Sequence, residues 1–139
     1  MGVVAYGVMW TPRDYSWSLD FSGSAVDDET GMRLEEVSAG LDGVYNITIT
    51  FDAPNSEIVR VQWFSRTDSD LLYELVYRNG SVFAHGNDEV SSTPTYTDTW
   101  GRHYRTIWKV FSTSRDAKVD IVVDYVGKDP WWPPGSRPH

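Results

Sequence analysis

Apolar and polar residues alternate with a period of two over much of this chain. In Val44–Asp52, Tyr45, Ile47, Ile49 and Phe51 fall on one side and Asn46, Thr48 and Thr50 on the other. That is the pattern of a strand with one face buried and one face wet. Glu57–Phe64 repeats it, with Val59, Val61 and Trp63 against Ile58, Arg60 and Gln62. The Asp52-Ala-Pro-Asn-Ser56 stretch between them is rich in turn residues, so the two segments are expected to pair as a hairpin. Arg102–Ser112 sets Tyr104, Thr106, Trp108 and Val110 opposite His103, Arg105, Ile107, Lys109 and Phe111. Ala117–Val126 sets Val119, Ile121, Val123 and Tyr125 opposite Lys118, Asp120 and Asp124. The intervening Thr113–Asp116 turn makes these a second expected hairpin.

The sharpest local signal is Tyr77-Arg78-Asn79-Gly80-Ser81-Val82. Asn-Gly between apolar runs marks a tight hairpin, because both residues tolerate the positive φ of a type I′ turn. It makes Leu71–Arg78 a strand and Ser81–His85 its partner. A helix over Asp68–Arg78 is the competing reading, and it would leave Asn-Gly as a mere C-cap. Val3–Trp10 and Tyr15–Phe21 read as strands split by Thr11-Pro12-Arg13-Asp14, and Met32–Ser38 reads as an edge strand. Ser22–Gly31 and Gly86–Thr99 read as long loops. Eight to nine strands, no long helix and no internal repeat predict an all-β fold, an antiparallel β-sandwich or barrel over residues 1–126. The remainder, 127–139, holds four prolines and the pair Trp131-Trp132, and cannot join a sheet.

Composition narrows the range of functions. The chain has 139 residues, 20 of them acidic and 12 basic, for a formal charge of −8. Such a field repels phosphate, so nucleic acid is not expected as a partner. The excess is uneven. Residues 1–70 hold 12 acids and 4 bases, whereas 71–139 hold 8 of each. No acid falls between Asp98 and Asp116, a stretch carrying Arg102, Arg105, Lys109 and Arg115. Cysteine is absent, which excludes a disulfide scaffold, thiolate metal sites and a thiol nucleophile. The apolar start MGVVAYGVMW lacks a basic leader and is too short to cross a bilayer.

The chemistry-bearing groups are sparse. Asp27-Asp28-Glu29, Asp68-Ser69-Asp70 and Asp88-Glu89 lie in expected loops. Their oxygens suit calcium, but no EF-hand spacing accompanies them and they read as solvated charge. His85, His103 and His139 show no metal spacing. No nucleophile elbow, phosphate loop or HExxH pair is present. No enzyme activity, metal or cofactor is therefore expected. Asn46-Ile47-Thr48 and Asn79-Gly80-Ser81 match the glycosylation triplet.

Aromatic residues stand out, with 7 Trp, 8 Tyr and 5 Phe. A strand core absorbs most of them. Trp131 and Trp132 are different, because nothing in a short Pro-rich segment can bury two indoles locally. With Pro133 they are expected to dock on the parent domain or on a neighbour. The acidic Asp27, Asp28 and Glu29 of one copy would meet Arg102, Arg105 and Lys109 of the next, a head-to-tail contact of the kind that builds rings or filaments. The expected function is a structural subunit of a virion, tail or surface filament. The alternative is an extracellular carbohydrate-binding module whose Trp17, Tyr96 and Trp100 stack on sugar rings.

Overall fold

The computed structural model describes residues 14–127, with the side chains of Asp42 and residues 101–104 excepted. The eight strands of this region are β1 (Tyr15–Asp20), β2 (Arg33–Asp52), β3 (Val59–Ser65), β4 (Leu71–Arg78), β5 (Ser81–Ala84), β6 (Asp88–Ser91), β7 (Thr95–Ser112) and β8 (Lys118–Gly127). All pair antiparallel in the order β1-β8-β2-β7-β3-β4-β5-β6. The fold is an all-β sandwich. The expected strand Val3–Trp10 and the Trp131-Trp132-Pro133 segment lie outside the described residues.

Two strands do most of the architectural work. β2 and β7 pair without interruption from Arg33↔Ser112 to Thr50↔Thr95. β8 joins β2 only over Val44–Asp52, and β3 joins β7 only over Thr106–Ser112. One half of the β2–β7 ladder thus belongs to a four-stranded sheet with β1 and β8. The other half belongs to a six-stranded sheet with β3, β4, β5 and β6. Each long strand counts once in each sheet, and the sandwich closes by bending this ladder.

The bend has a local cause. Gly43 sits at φ +121°, a conformation that side chains rarely adopt, and an added Cβ would lie 2.8 Å from Tyr125 Cε1 and 2.9 Å from the Gly127 carbonyl oxygen. A register shift between β2 and β8 follows at Val44/Tyr45, as expected where a bulge sharpens a twist. The Tyr15 hydroxyl of β1 donates to the Gly40 carbonyl at 3.2 Å and accepts from the Gly40 amide at 3.1 Å, which pins the bend from the opposite sheet.

The alternation expected from the sequence sets the inward face throughout. Tyr45, Ile47, Ile49 and Phe51 on β2, Val59, Val61 and Trp63 on β3, and Val119, Ile121 and Val123 on β8 are all buried in one core. Aromatic rings bridge the sheets. Trp17 lies 6.2 Å from Trp108, Trp63 lies 5.6 Å from Trp100, and Phe51 stacks on Tyr77 at 5.0 Å; within the six-stranded sheet Trp63 also stacks on its register partner Trp108 at 4.5 Å. The Asn-Gly hairpin is present as read, with Asn79 and Gly80 at φ 51° and 80°.

Four expectations need correction. Val44–Asp52 does not pair with Glu57–Phe64, because β7 lies between β2 and β3. Arg102–Ser112 does not pair with Ala117–Val126, because β2 lies between β7 and β8. In both cases turn residues mark where the chain reverses, but the reversal leads to the opposite sheet instead of the next strand. The expected loop Gly86–Thr99 contains β6 and the first five residues of β7. Likewise the expected edge strand Met32–Ser38, of which Arg33–Ser38 is a strand at the edge of the six-stranded sheet, is continuous with Val44–Asp52 in the single strand β2.

Two substitutions test this account. Gly43→Ala should destabilise the fold by about 1–3 kcal/mol through strain at the bend, read as a lower urea midpoint. Trp63→Ala should cost about 3–5 kcal/mol, because it empties the centre of the ring stack. A Gly43→Ala protein as stable as the wild type would mean that the bend does not depend on this glycine.

Candidate functional site

Among the described residues, a set of adjoining depressions lies at the bend end of the six-stranded sheet. Three open depressions of about 250, 290 and 290 Å³ share lining residues there. The first is lined by Tyr15, Ser38, Ala39, Gly40, Arg66, Arg105 and Thr106. Ser38 and Arg66 continue into the second, and Ile107 links the second to the third beside Phe64, Ser65, Ser69 and Lys109. Together they form one shallow trough crossing β2, β7 and the end of β3.

Strand geometry explains its contents. Thr106, Trp108 and Val110 of β7 point inward, so Arg105, Ile107 and Lys109 point outward. Gly40 stands opposite Arg105 in the ladder and offers no side chain to fill the space. β3 ends at the buried Ser65, and the Arg66 amide donates to the Arg105 carbonyl at 2.8 Å. That bond holds Arg66 beside Arg105 at the mouth of the trough. Lys109 lies 5.5 Å from the Phe64 ring centroid, a cation placed on an apolar outer face. Leu34, Phe64 and Ile107 on this face are half-buried.

The charge balance of the trough is positive. Among the lining residues Arg66, Arg105 and Lys109 are set against Glu36, with the exposed Asp68 and Asp70 flanking Ser69 at the rim. Among the described residues neither Arg66 nor Arg105 makes an ion pair; the pair present is Arg60 with Glu74 at 3.6 Å, toward the opposite end of the face. Two exposed guanidiniums beside half-buried apolar groups can bind a carboxylate-bearing protein segment, since the planar fork suits carboxylates and the apolar floor adds burial.

The acidic residues named from the sequence sit at the other end of the same sheet. Val26 bridges to Arg33 at the start of β2, so the segment 24–27 runs along the sheet edge. Ser24 Oγ donates to the Glu35 carboxylate, and the Arg33 guanidinium donates to the Ser24 carbonyl at 3.0 Å. Asp27 is used locally: its Oδ2 accepts from the Thr30 amide at 3.1 Å and the Thr30 hydroxyl at 2.9 Å. Asp28 and Glu29 are left exposed at the tip, next to Val26, which is 53% exposed. Of the expected basic partners, Arg105 and Lys109 fall in the trough and the Arg102 side chain lies outside the described residues. Arg66 escaped sequence reasoning. The available signal was its isolation as a lone base after the strand Glu57–Phe64.

The aromatic residues proposed to stack on sugars lie elsewhere. Tyr96 and Trp100 are buried, at 5% and 6% exposure, and Trp17 is half-buried against Tyr15 and Trp108. Tyr73 lies within 5.8 Å of Trp100 and 6.3 Å of Tyr96, and His85 meets Tyr73 edge-on at 5.0 Å. These rings serve the contact between the sheets, because Tyr96 and Trp100 occupy inward positions of β7. The Tyr96 hydroxyl donates to Asp98 at 2.7 Å. Burial first, and then the neighbouring carboxylate, push its ionisation well above the usual phenol range.

Among the described residues no group of three His, Cys, Asp or Glu side chains converges as a metal site, and no helix is long and apolar enough to cross a membrane. Asn46 and Asn79 are both exposed, and Asn46 accepts from the Thr99 hydroxyl at 3.0 Å.

The Tyr96 environment has a measurable consequence. A folded-state pKa raised above the unfolded value near 10 means that its stabilising share is present below that pH and lost as pH rises beyond it. The urea midpoint should therefore fall above about pH 10, and Tyr96→Phe should flatten that fall. An unchanged alkaline slope in Tyr96→Phe would exclude this contribution. Comparison with known proteins found no matching family model, no matching curated protein and no matching solved structure.

Proposed function

We propose that this chain is a non-catalytic structural subunit that works by self-assembly, as part of a virion, a tail or a surface filament. The observation that carries the reading is the trough. It places unpaired guanidiniums beside half-buried apolar side chains on an outer sheet face, in a chain whose overall charge is strongly negative. Subunit contacts are built from such features, because complementary charge sets register while apolar groups supply burial. The interior supports the same reading. Its aromatic residues stack against one another between the sheets and are committed to holding the sandwich together. In this reading the aromatic segment around Trp131, Trp132 and Pro133 adds a second contact on a neighbouring copy.

The test is the mass of the particle in solution. Light scattering should report a multiple of 15.8 kDa that rises with concentration. Removing residues 128–139 should shift the distribution toward the monomer while the β-sheet circular dichroism stays unchanged. A wild-type monomer at every concentration would overturn the proposal.

A further inference from the structure

We infer that the Val26–Glu29 turn of one copy seats in the Arg66–Arg105 trough of a second copy, head to tail. This rests on the assembly reading above and names the contact that would carry it.

The unmatched groups lie at opposite ends of one sheet. Arg66 and Arg105 are exposed and unpaired among the described residues, at the bend end of the six-stranded sheet. Asp28 and Glu29 are exposed and unpaired at the opposite end, where β2 begins. Ser112 pairs with Arg33 near the turn and Arg105 pairs with Gly40 in the trough, seven residues apart. At about 3.3 Å per residue this is more than 20 Å. The two sets therefore cannot meet within one molecule.

The chemistry of the two surfaces matches term by term. The turn offers an exposed valine followed by two carboxylates. The trough offers a half-buried floor of Ile107 and Phe64 followed by two guanidiniums, with Lys109 at one side. Asp27 serves mainly to shape the turn, because its Oδ2 accepts both Thr30 donors. That capping and the Val26–Arg33 bridge fix the turn on the sheet edge, so little loop entropy is lost when it docks. The outer face of the four-stranded sheet is a poorer occupant. It is acidic too, but its apolar groups, Val122 and the exposed Val126, stand on a strand within the sheet, whereas Val26 sits on a turn that can enter the trough.

Two different patches in contact make a heterologous interface, which generates a ring or an open filament and not a closed pair. The symmetry gives a decisive experiment. Asp28→Lys/Glu29→Lys and Arg66→Glu/Arg105→Glu should each raise the concentration needed for assembly by roughly tenfold or more. Mixing the two variants should restore assembly, since each then offers the surface that the other requires. A chain carrying all four changes should also assemble alone. Circular dichroism and thermal melting of each variant confirm that it is folded. If the wild type assembles but the variants do so equally well, or if mixing restores nothing, this contact is wrong and the assembly reading stands. A monomeric wild type overturns both.

Discussion

The continuous ladder between β2 and β7 is the constraint on which the rest of the structure depends. Eighteen consecutive residue pairs hold these strands together, from Arg33↔Ser112 to Thr50↔Thr95. Because the ladder runs through the bend, the two sheets are hydrogen-bonded into one surface at their common edge. Everything else attaches to one half or the other: β8 and β1 to the C-terminal half of β2, and β3 through β6 to the C-terminal half of β7. Folding the ladder over brings the inward faces of both halves together. The cost is concentrated at Gly43, where only glycine fits between Tyr125 and the Gly127 carbonyl.

The gap between the sheets is then filled by rings. Tyr15, Trp17, Trp108, Trp63 and Trp100 form a continuous run in which each ring lies within 6.2 Å of the next. Two of its contacts, Trp17 with Trp108 and Trp63 with Trp100, tie one sheet to the other, and the other two lie within a sheet. Large rings cover this distance with few rotatable bonds, which favours a single packing arrangement. The polar ends are managed individually. The Trp108 indole donates to Thr106 Oγ1 at 2.9 Å, and Thr106 in turn donates to the Ala39 carbonyl at 3.1 Å. Trp63 Nε1 has no partner, a loss of about 1–3 kcal/mol that the burial and stacking of the ring must exceed.

What could be read from the sequence follows from the range of the interactions involved. Face assignments on β2, β3, β7 and β8 came out as expected because a period of two is a local property of each strand. The Asn79-Gly80 hairpin was legible for the same reason, as its turn fixes its own register. Strand order was not legible. Nothing in 52–56 or 113–116 distinguishes a turn between neighbours from a crossing to the other sheet. The continuity of β2 was hidden by Ala39-Gly40-Leu41-Asp42-Gly43, where two glycines break the pattern that signals a strand. The candidate site was half legible. Arg105 and Lys109 stood out as a basic run, whereas Arg66 joins them only through the β3–β7 pairing, 39 residues away in sequence.

The same topology changes the meaning of the charge asymmetry. Along the chain, the excess acid belongs to residues 1–70. In the folded protein it follows the sheets. Asp20 and Asp52 from the acidic half share the outer face of the four-stranded sheet with Asp120 and Asp124 from the neutral half, because β1, β2 and β8 are neighbours. Lys118 is the cation set among them, paired in register with both Asp20 and Asp52. The outer face of the six-stranded sheet carries Arg60, Arg78, Arg105 and Lys109 against Glu36, Glu74 and Glu89, with Arg66, Asp68 and Asp70 at one rim and Asp28 and Glu29 at the other. Net charge alone would keep such molecules apart. Unevenly placed, the same charges make some orientations of approach less unfavourable than others, namely those that bring an acidic surface of one molecule toward the Arg66–Arg105 end of another. Long-range attraction of this kind selects the approach but not the register. Register requires a feature that fits in only one place, and in the proposed contact the apolar floor flanked by Arg66 and Arg105 would supply it.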